Sequence, residues 1–192
     1  MNLSVHNQFI IGMVLVLLMI ITREHHFSSL HNLPGASWAV FFLAGLYLRT
    51  IWSLAALFTL TWSLDLSAYI WGSASNFCLT LSYIFLLPAY SALWYAGRWY
   101  ARRYQFTWQT LLPLFLSLIV AAVACELLSS GGFYFFSGRF EETTLIEFGQ
   151  RLIQYFPYYV ISLAFYIGIF AIIHIIFVFA EGLFKFDNNK AI

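Results

Sequence analysis

TWQTLLPLFLSLIVAAVACELLS, residues 107–129, decides the fold class. The run exceeds the ~20 apolar residues that a transmembrane helix needs, and at about 1.5 Å per residue it crosses a hydrocarbon core of about 30 Å. Working outward, similar runs recur on both sides. The chain has 192 residues, of which 62% are hydrophobic and 9% charged. An ordinary soluble domain carries roughly 25% charged residues, so a water-soluble fold of this size would lack the polar surface to cover itself. Lipid is the expected solvent, and the length suits one domain spanning 1–192. A formal net charge of +1 leaves no basic footprint for nucleic acid.

Hydropathy and the placement of charges predict an all-α integral membrane protein of six transmembrane helices. They fall at 7–23, 34–48, 51–71, 78–102, 107–129 and 149–184. The second begins at the Pro34–Gly35 break and the third stops at Gly72. Pro88 is expected to kink the fourth, and Gly131–Gly132 to end the fifth. The sixth is long enough that tilting, a break near Pro157 or a start outside the membrane are all open. The first run has no basic residue before it and no small-x-small cleavage site before Arg23, so it reads as a retained helix rather than a signal peptide.

With both termini inside, the inner segments hold Arg49, Arg98, Arg102, Arg103, Lys185 and Lys190. The outer ones hold Arg23, Arg139 and Arg151. That excess favours an N-in, C-in topology. No P-loop GxxxxGK[ST] occurs, so any uptake driven by ATP needs another chain to hydrolyse it.

In so apolar a chain, polar residues at membrane depth need a partner, water or a ligand. The topology sends several to the outer face. REHHFSSLHNLPGAS (23–37) brings His25, His26 and His31, and LDLSAYIWG (64–72) brings Asp65. NFCLTLSY (76–83) brings Asn76, Cys78 and Tyr83, and EFGQRLIQYFPYY (147–159) brings Arg151. Together they describe a pocket open to the outside, with Phe27, Trp38, Tyr69, Trp71, Phe77 and Phe133 as candidate apolar walls. Each also has a plainer reading. Asp65 can pair locally, and Arg151 can pair with Glu147 at i, i+4. Tyr83 can anchor at the interface, and the histidines can be solvated. Cys78 can be a small buried hydrophobe, although a helix start beside polar groups favours its thiolate. The histidine spacing matches no recognised zinc site. Cys125, between Ala124 and Glu126, reads as packing. The Ala92–Ala96 small-xxx-small pair lies on the fourth helix, while the first helix offers only Gly12.

In order and spacing, these stretches, with HHFSSLHNLPGASWAVFFLAGLYLR (25–49), resemble BtuM, a cobalamin-binding S-component of energy-coupling-factor (ECF) transporters in Gram-negative bacteria. The resemblance covers essentially the whole chain. It implies an S-component bundle in the bacterial inner membrane whose site faces the periplasm. It implies that a thiolate ligates the corrinoid cobalt, and the matching residue is Cys78. Asp65, Tyr83 and Arg151 match residues that hydrogen-bond the amide-rich corrin rim, and His26 would lie near the ligand. It further implies an ECF module of one transmembrane T-component and two ATPases. A thiolate on cobalt would compete with cyanide, so removal of cyanide from cyanocobalamin is a hypothesis attached to Cys78. Two other readings stay open. One is a membrane thiol enzyme of exosortase-like transpeptidase type, with Cys78 as nucleophile, His26 as base and Arg151 as oxyanion stabiliser. The other is an S-component for a different vitamin, with Cys78 merely structural.

Overall fold

The computed structural model describes residues 4–23, 34–71, 80–105 and 107–188. Among them are six α-helices: α1 (Val5–Thr22), α2 (Ser37–Tyr47), α3 (Trp52–Ile70), α4 (Leu86–Arg103), α5 (Leu111–Phe136) and α6 (Leu145–Asn188). Short 3-10 turns, Leu81–Phe85 and Trp108–Thr110, lead into α4 and α5. The protein is an all-α membrane protein. Val5–Thr22, Trp52–Ile70, Trp108–Phe136 and Leu145–Ile176 are each long and apolar enough to cross a bilayer. Their outer faces are greasy. Phe9, Met13 and Leu17 on α1 are exposed, as are Phe115, Val120 and Leu127 on α5. Such faces suit lipid and would be a liability in water.

α2 departs from the sequence expectation. It has 11 residues, too few to cross a bilayer alone. Trp38 to Gly45 and Tyr47 are all buried, so it is the central post of the bundle rather than a peripheral span. Continuous apolarity at 34–48 reflects burial in protein on every side, which hydropathy does not distinguish from burial in lipid. Lipid gives helices little hydrophobic reason to associate, so close packing must supply the attraction. A Cβ built on Gly45 would overlap the Trp94 carbonyl oxygen, and one on Gly97 the Phe42 carbonyl oxygen. These reciprocal glycines let α2 and α4 touch backbone to backbone. Phe41 then stacks on Tyr90 at 4.5 Å between ring centres.

The irregular stretch before α2 has its backbone groups met by side chains. Tyr166 donates to the Pro34 carbonyl at 2.7 Å, Ser162 to the Gly35 carbonyl at 2.6 Å, and the Ala36 N–H donates to Thr22 Oγ1 at 3.2 Å. Unpaired, these groups would be costly in an apolar interior.

Two further expectations are corrected, and one open alternative, a break near Pro157, does not occur. Gly131–Gly132 does not end α5, which continues to Phe136. Gly132 is instead the place where the Phe85 ring packs, in space a Cβ would fill. Pro88 is the third residue of α4, where its missing N–H costs no helical bond, so it starts the helix rather than kinking it. α6 runs without interruption through Pro157. The α5–α6 reversal is made at Gly138, whose φ of +68° favours glycine.

Candidate functional site

The C-terminal ends of α1, α3 and α5 and the N-terminal ends of α2, α4 and α6 share one end of the bundle. Arg23 caps α1 there, and Asp65 lies one turn before the end of α3. The guanidinium grips the carboxylate in a fork: Nε donates to Oδ1 and Nη2 to Oδ2, each at 2.6 Å. Nη1 donates to Ser37 Oγ at 3.1 Å, and the Tyr83 hydroxyl donates to Asp65 Oδ2 at 2.7 Å. Arg23 and Asp65 are only 13% and 19% exposed, so this is a largely desolvated, charge-assisted pair that ties α1, α2, α3 and the turn before α4 together.

Beside this knot lies a cavity of about 530 Å³. Its wall comes from α2 (Trp38), α4 (Leu86, Tyr90), α5 (Glu126, Ser129, Ser130, Phe133, Tyr134) and α6 (Phe148, Arg151, Tyr155, Tyr159), with Arg139 from the α5–α6 turn. Tyr90 joins the two features, because it lines the cavity and its side chain also interacts with Arg23. Trp38 and Tyr159, both in the cavity wall, stack with ring centres 5.1 Å apart. The Arg151 guanidinium lies 4.5 Å from the Phe140 ring centre and 5.6 Å from that of Tyr134. Its i−4 neighbour Glu147 accepts from the Tyr134 hydroxyl at 2.9 Å instead. The local Glu147–Arg151 pair considered from the sequence therefore does not form, and Arg151 stays exposed, held over aromatic faces.

Of the residues singled out in the sequence, the structure brings Asp65 and Tyr83 into direct contact. It places Arg151 in the adjoining cavity at the same end. Trp38 and Phe133 line that cavity, whereas Tyr69 and Trp71 lie exposed on the outside of α3. Cys78, His26, His25, His31, Asn76, Phe27 and Phe77 lie outside the described residues. Cys125 is a free cysteine in the core. Among the described residues no group of three or more His, Cys, Asp or Glu is placed to hold a metal ion.

Three residues were not singled out from the sequence. Arg23 read as a loop charge but is the fixed partner of Asp65. Arg139 lines the cavity. Glu126 is a carboxylic side chain in an otherwise uncharged run, and that isolation was the available signal. It is 2% exposed; Oε1 accepts from Ser130 Oγ at 2.7 Å, while Oε2 has no partner among the described residues.

A second cavity, of about 440 Å³, lies at the opposite end, among Tyr47, Tyr100, Tyr104, Leu111, Phe170 and His174, with others. Tyr104 and His174 are hydrogen-bonded at 2.9 Å there.

No family model matches the chain, and no curated protein matches it.

Proposed function

We propose that this protein is a cobalamin-binding S-component that presents its ligand site at the end of the bundle holding Arg23, Asp65 and Arg151. The carrying observation is the concentration of polar and charged groups there, beside one cavity. Asp65, Tyr83, Arg139, Arg151 and Glu126 all sit at or next to it. Of these, Glu126 keeps an oxygen unmet among the described residues, and such a group is costly in an apolar interior unless a ligand meets it.

A corrinoid suits this end. Its macrocycle is served by aromatic surface, which the stacked Trp38 and Tyr159 contribute to the cavity wall. Its rim amides need donors, which Arg139 and Arg151 offer. A cavity of about 530 Å³ takes an edge of the ring rather than the whole vitamin, so the ligand projects from the mouth. Asp65, held by Arg23, fixes the Tyr83 hydroxyl in direction, and Cys78 precedes Tyr83 by five residues in sequence. In this reading the Cys78 thiolate ligates cobalt, a soft donor on a polarizable metal. It competes with cyanide at that position. His26 follows Arg23 by three residues in sequence and is assigned to the ligand's surroundings by the same resemblance.

The chain crosses the membrane six times, with both termini inside. α2 completes its pass with the irregular backbone that flanks it, whose groups at 34–36 are met by Tyr166, Ser162 and Thr22. Arg49, Arg98, Arg102 and Arg103 then mark the cytoplasmic end, and the cavity opens to the periplasm of a bacterial inner membrane. Uptake requires an ECF module of a T-component and two ATPases.

The test is titration of the purified protein in detergent with cyanocobalamin, followed by absorption. Saturable one-to-one binding that weakens in Arg151→Ala is expected. The corrinoid spectrum should differ between wild type and Cys78→Ala. Absence of binding in the wild type overturns the assignment, and identical spectra remove Cys78 from cobalt.

A further inference from the structure

Among the described residues Glu126 is the one carboxyl lining the cavity, and it is not explained by packing. Half of it is satisfied, because Ser130, one turn later on α5, donates to Oε1. Oε2 is closed off from water and meets no donor among the described residues. A buried acceptor left unmet costs free energy, and a ligand that supplies a donor recovers it. The last torsion of a glutamate side chain is broad, so a small turn of the carboxyl offers an oxygen to the cavity without disturbing α5.

The surroundings restrict what that donor is. Arg139 and Arg151 belong to the same wall, and both favour an acceptor on the ligand. A ligand carboxylate would suit the arginines and offer Glu126 no hydrogen. An ammonium would do the reverse. A primary carboxamide carries both halves, an N–H to donate and a carbonyl to accept. We infer that Glu126 is a specificity residue that accepts a hydrogen bond from a peripheral carboxamide N–H of the ligand, whose carbonyl side is turned to the arginines. The inference rests on the cobalamin reading, whose ligand is fringed with such amides. It assigns the rejection of ligands carrying an acid in place of an amide to one side chain.

The experiment uses the full chain in detergent. Wild type, Glu126→Gln and Glu126→Leu are each titrated with cyanocobalamin and with monocarboxylates in which one peripheral amide has been hydrolysed. Binding is followed by absorption and by quenching of tryptophan fluorescence, to which Trp38 in the cavity wall contributes. Wild type is expected to prefer the amide to at least one monocarboxylate by about 10-fold, the scale of one hydrogen bond. Glu126→Gln, uncharged and able to donate, should lose most of that preference. Glu126→Leu should bind the amide form about 10-fold more weakly. The Gln variant keeps the side-chain shape and is read as a ratio between two ligands, so it decides the matter even if the Leu variant fails to fold. An unchanged amide-to-acid ratio in Glu126→Gln overturns the role of Glu126 and leaves cobalamin binding standing. No cobalamin binding by wild type overturns the functional reading, and the role of Glu126 falls with it.

Discussion

The two ends of the bundle hold cavities of similar size, about 530 Å³ and about 440 Å³, and opposite character. One is walled by Trp38 and Tyr159 and contains a carboxyl and two guanidiniums, with a forked Arg23–Asp65 pair beside it. The other is walled by aliphatic and aromatic side chains, and its main polar feature, the Tyr104–His174 hydrogen bond, is internally satisfied. Volume alone would make them equal candidates for a ligand. What separates them is the cost of the groups each retains. Tyr104 and His174 answer each other, whereas Glu126 Oε2 has no answer within the described residues. In a membrane protein the unmet polar group is the better guide to function, because nothing else compensates for keeping it.

The largest expected effect tests the seam that keeps the two ends apart. Gly45→Val drives a branched side chain into the Trp94 carbonyl and should destabilise the protein by about 3 kcal/mol, the upper part of the overpacking range, because backbone cannot yield as a side chain can. Thermal unfolding in detergent reads this. Gly12→Ala, where a Cβ meets only Leu48 methyls at 3.9 Å, should change the midpoint little.

Next is Asp65→Ala, which leaves Arg23 without its counter-ion. A fully buried pair broken on one side costs about 3–5 kcal/mol, and partial exposure here lowers the expectation to about 2–3 kcal/mol. The double variant Arg23→Met with Asp65→Leu should regain most of that stability. If it does so and still binds corrinoid weakly, the pair serves the site as well as the fold.

Arg151→Ala should separate binding from stability. The guanidinium is exposed and lies over rings, so the unfolding midpoint should hold while corrinoid affinity falls by about 1–3 kcal/mol. The smallest effect sharpens the contrast from the other side. His174→Phe, in the opposite cavity, should leave corrinoid affinity unchanged. A fall equal to that of Arg151→Ala would place the ligand at the wrong end.

Much of this architecture was legible before any coordinates. Long apolar runs announced α1, α3, α5 and α6, because a helix in lipid must be apolar for its whole crossing. The failures share a cause. Local rules make Gly131–Gly132 a helix stop and attribute the apolarity of the 34–48 run to lipid. Each is settled by a distant neighbour, Phe85 in one case and α4 in the other. Asp65 and Tyr83 were picked out because polar groups are rare at that depth, but the partner 42 residues away was not. A salt bridge between helices leaves no spacing to detect. Arg23 was counted as a topological charge and Glu126 passed over as the neighbour of a cysteine. In both cases an isolated charge inside or at the lip of an apolar run was the available clue.

The most direct measurement is the absorption spectrum of the protein purified from cells supplied with cobalamin. A coloured preparation holding one corrinoid per chain, with a spectrum that shifts in Cys78→Ala, is what the account predicts. A colourless wild type, folded and free of corrinoid, would contradict it.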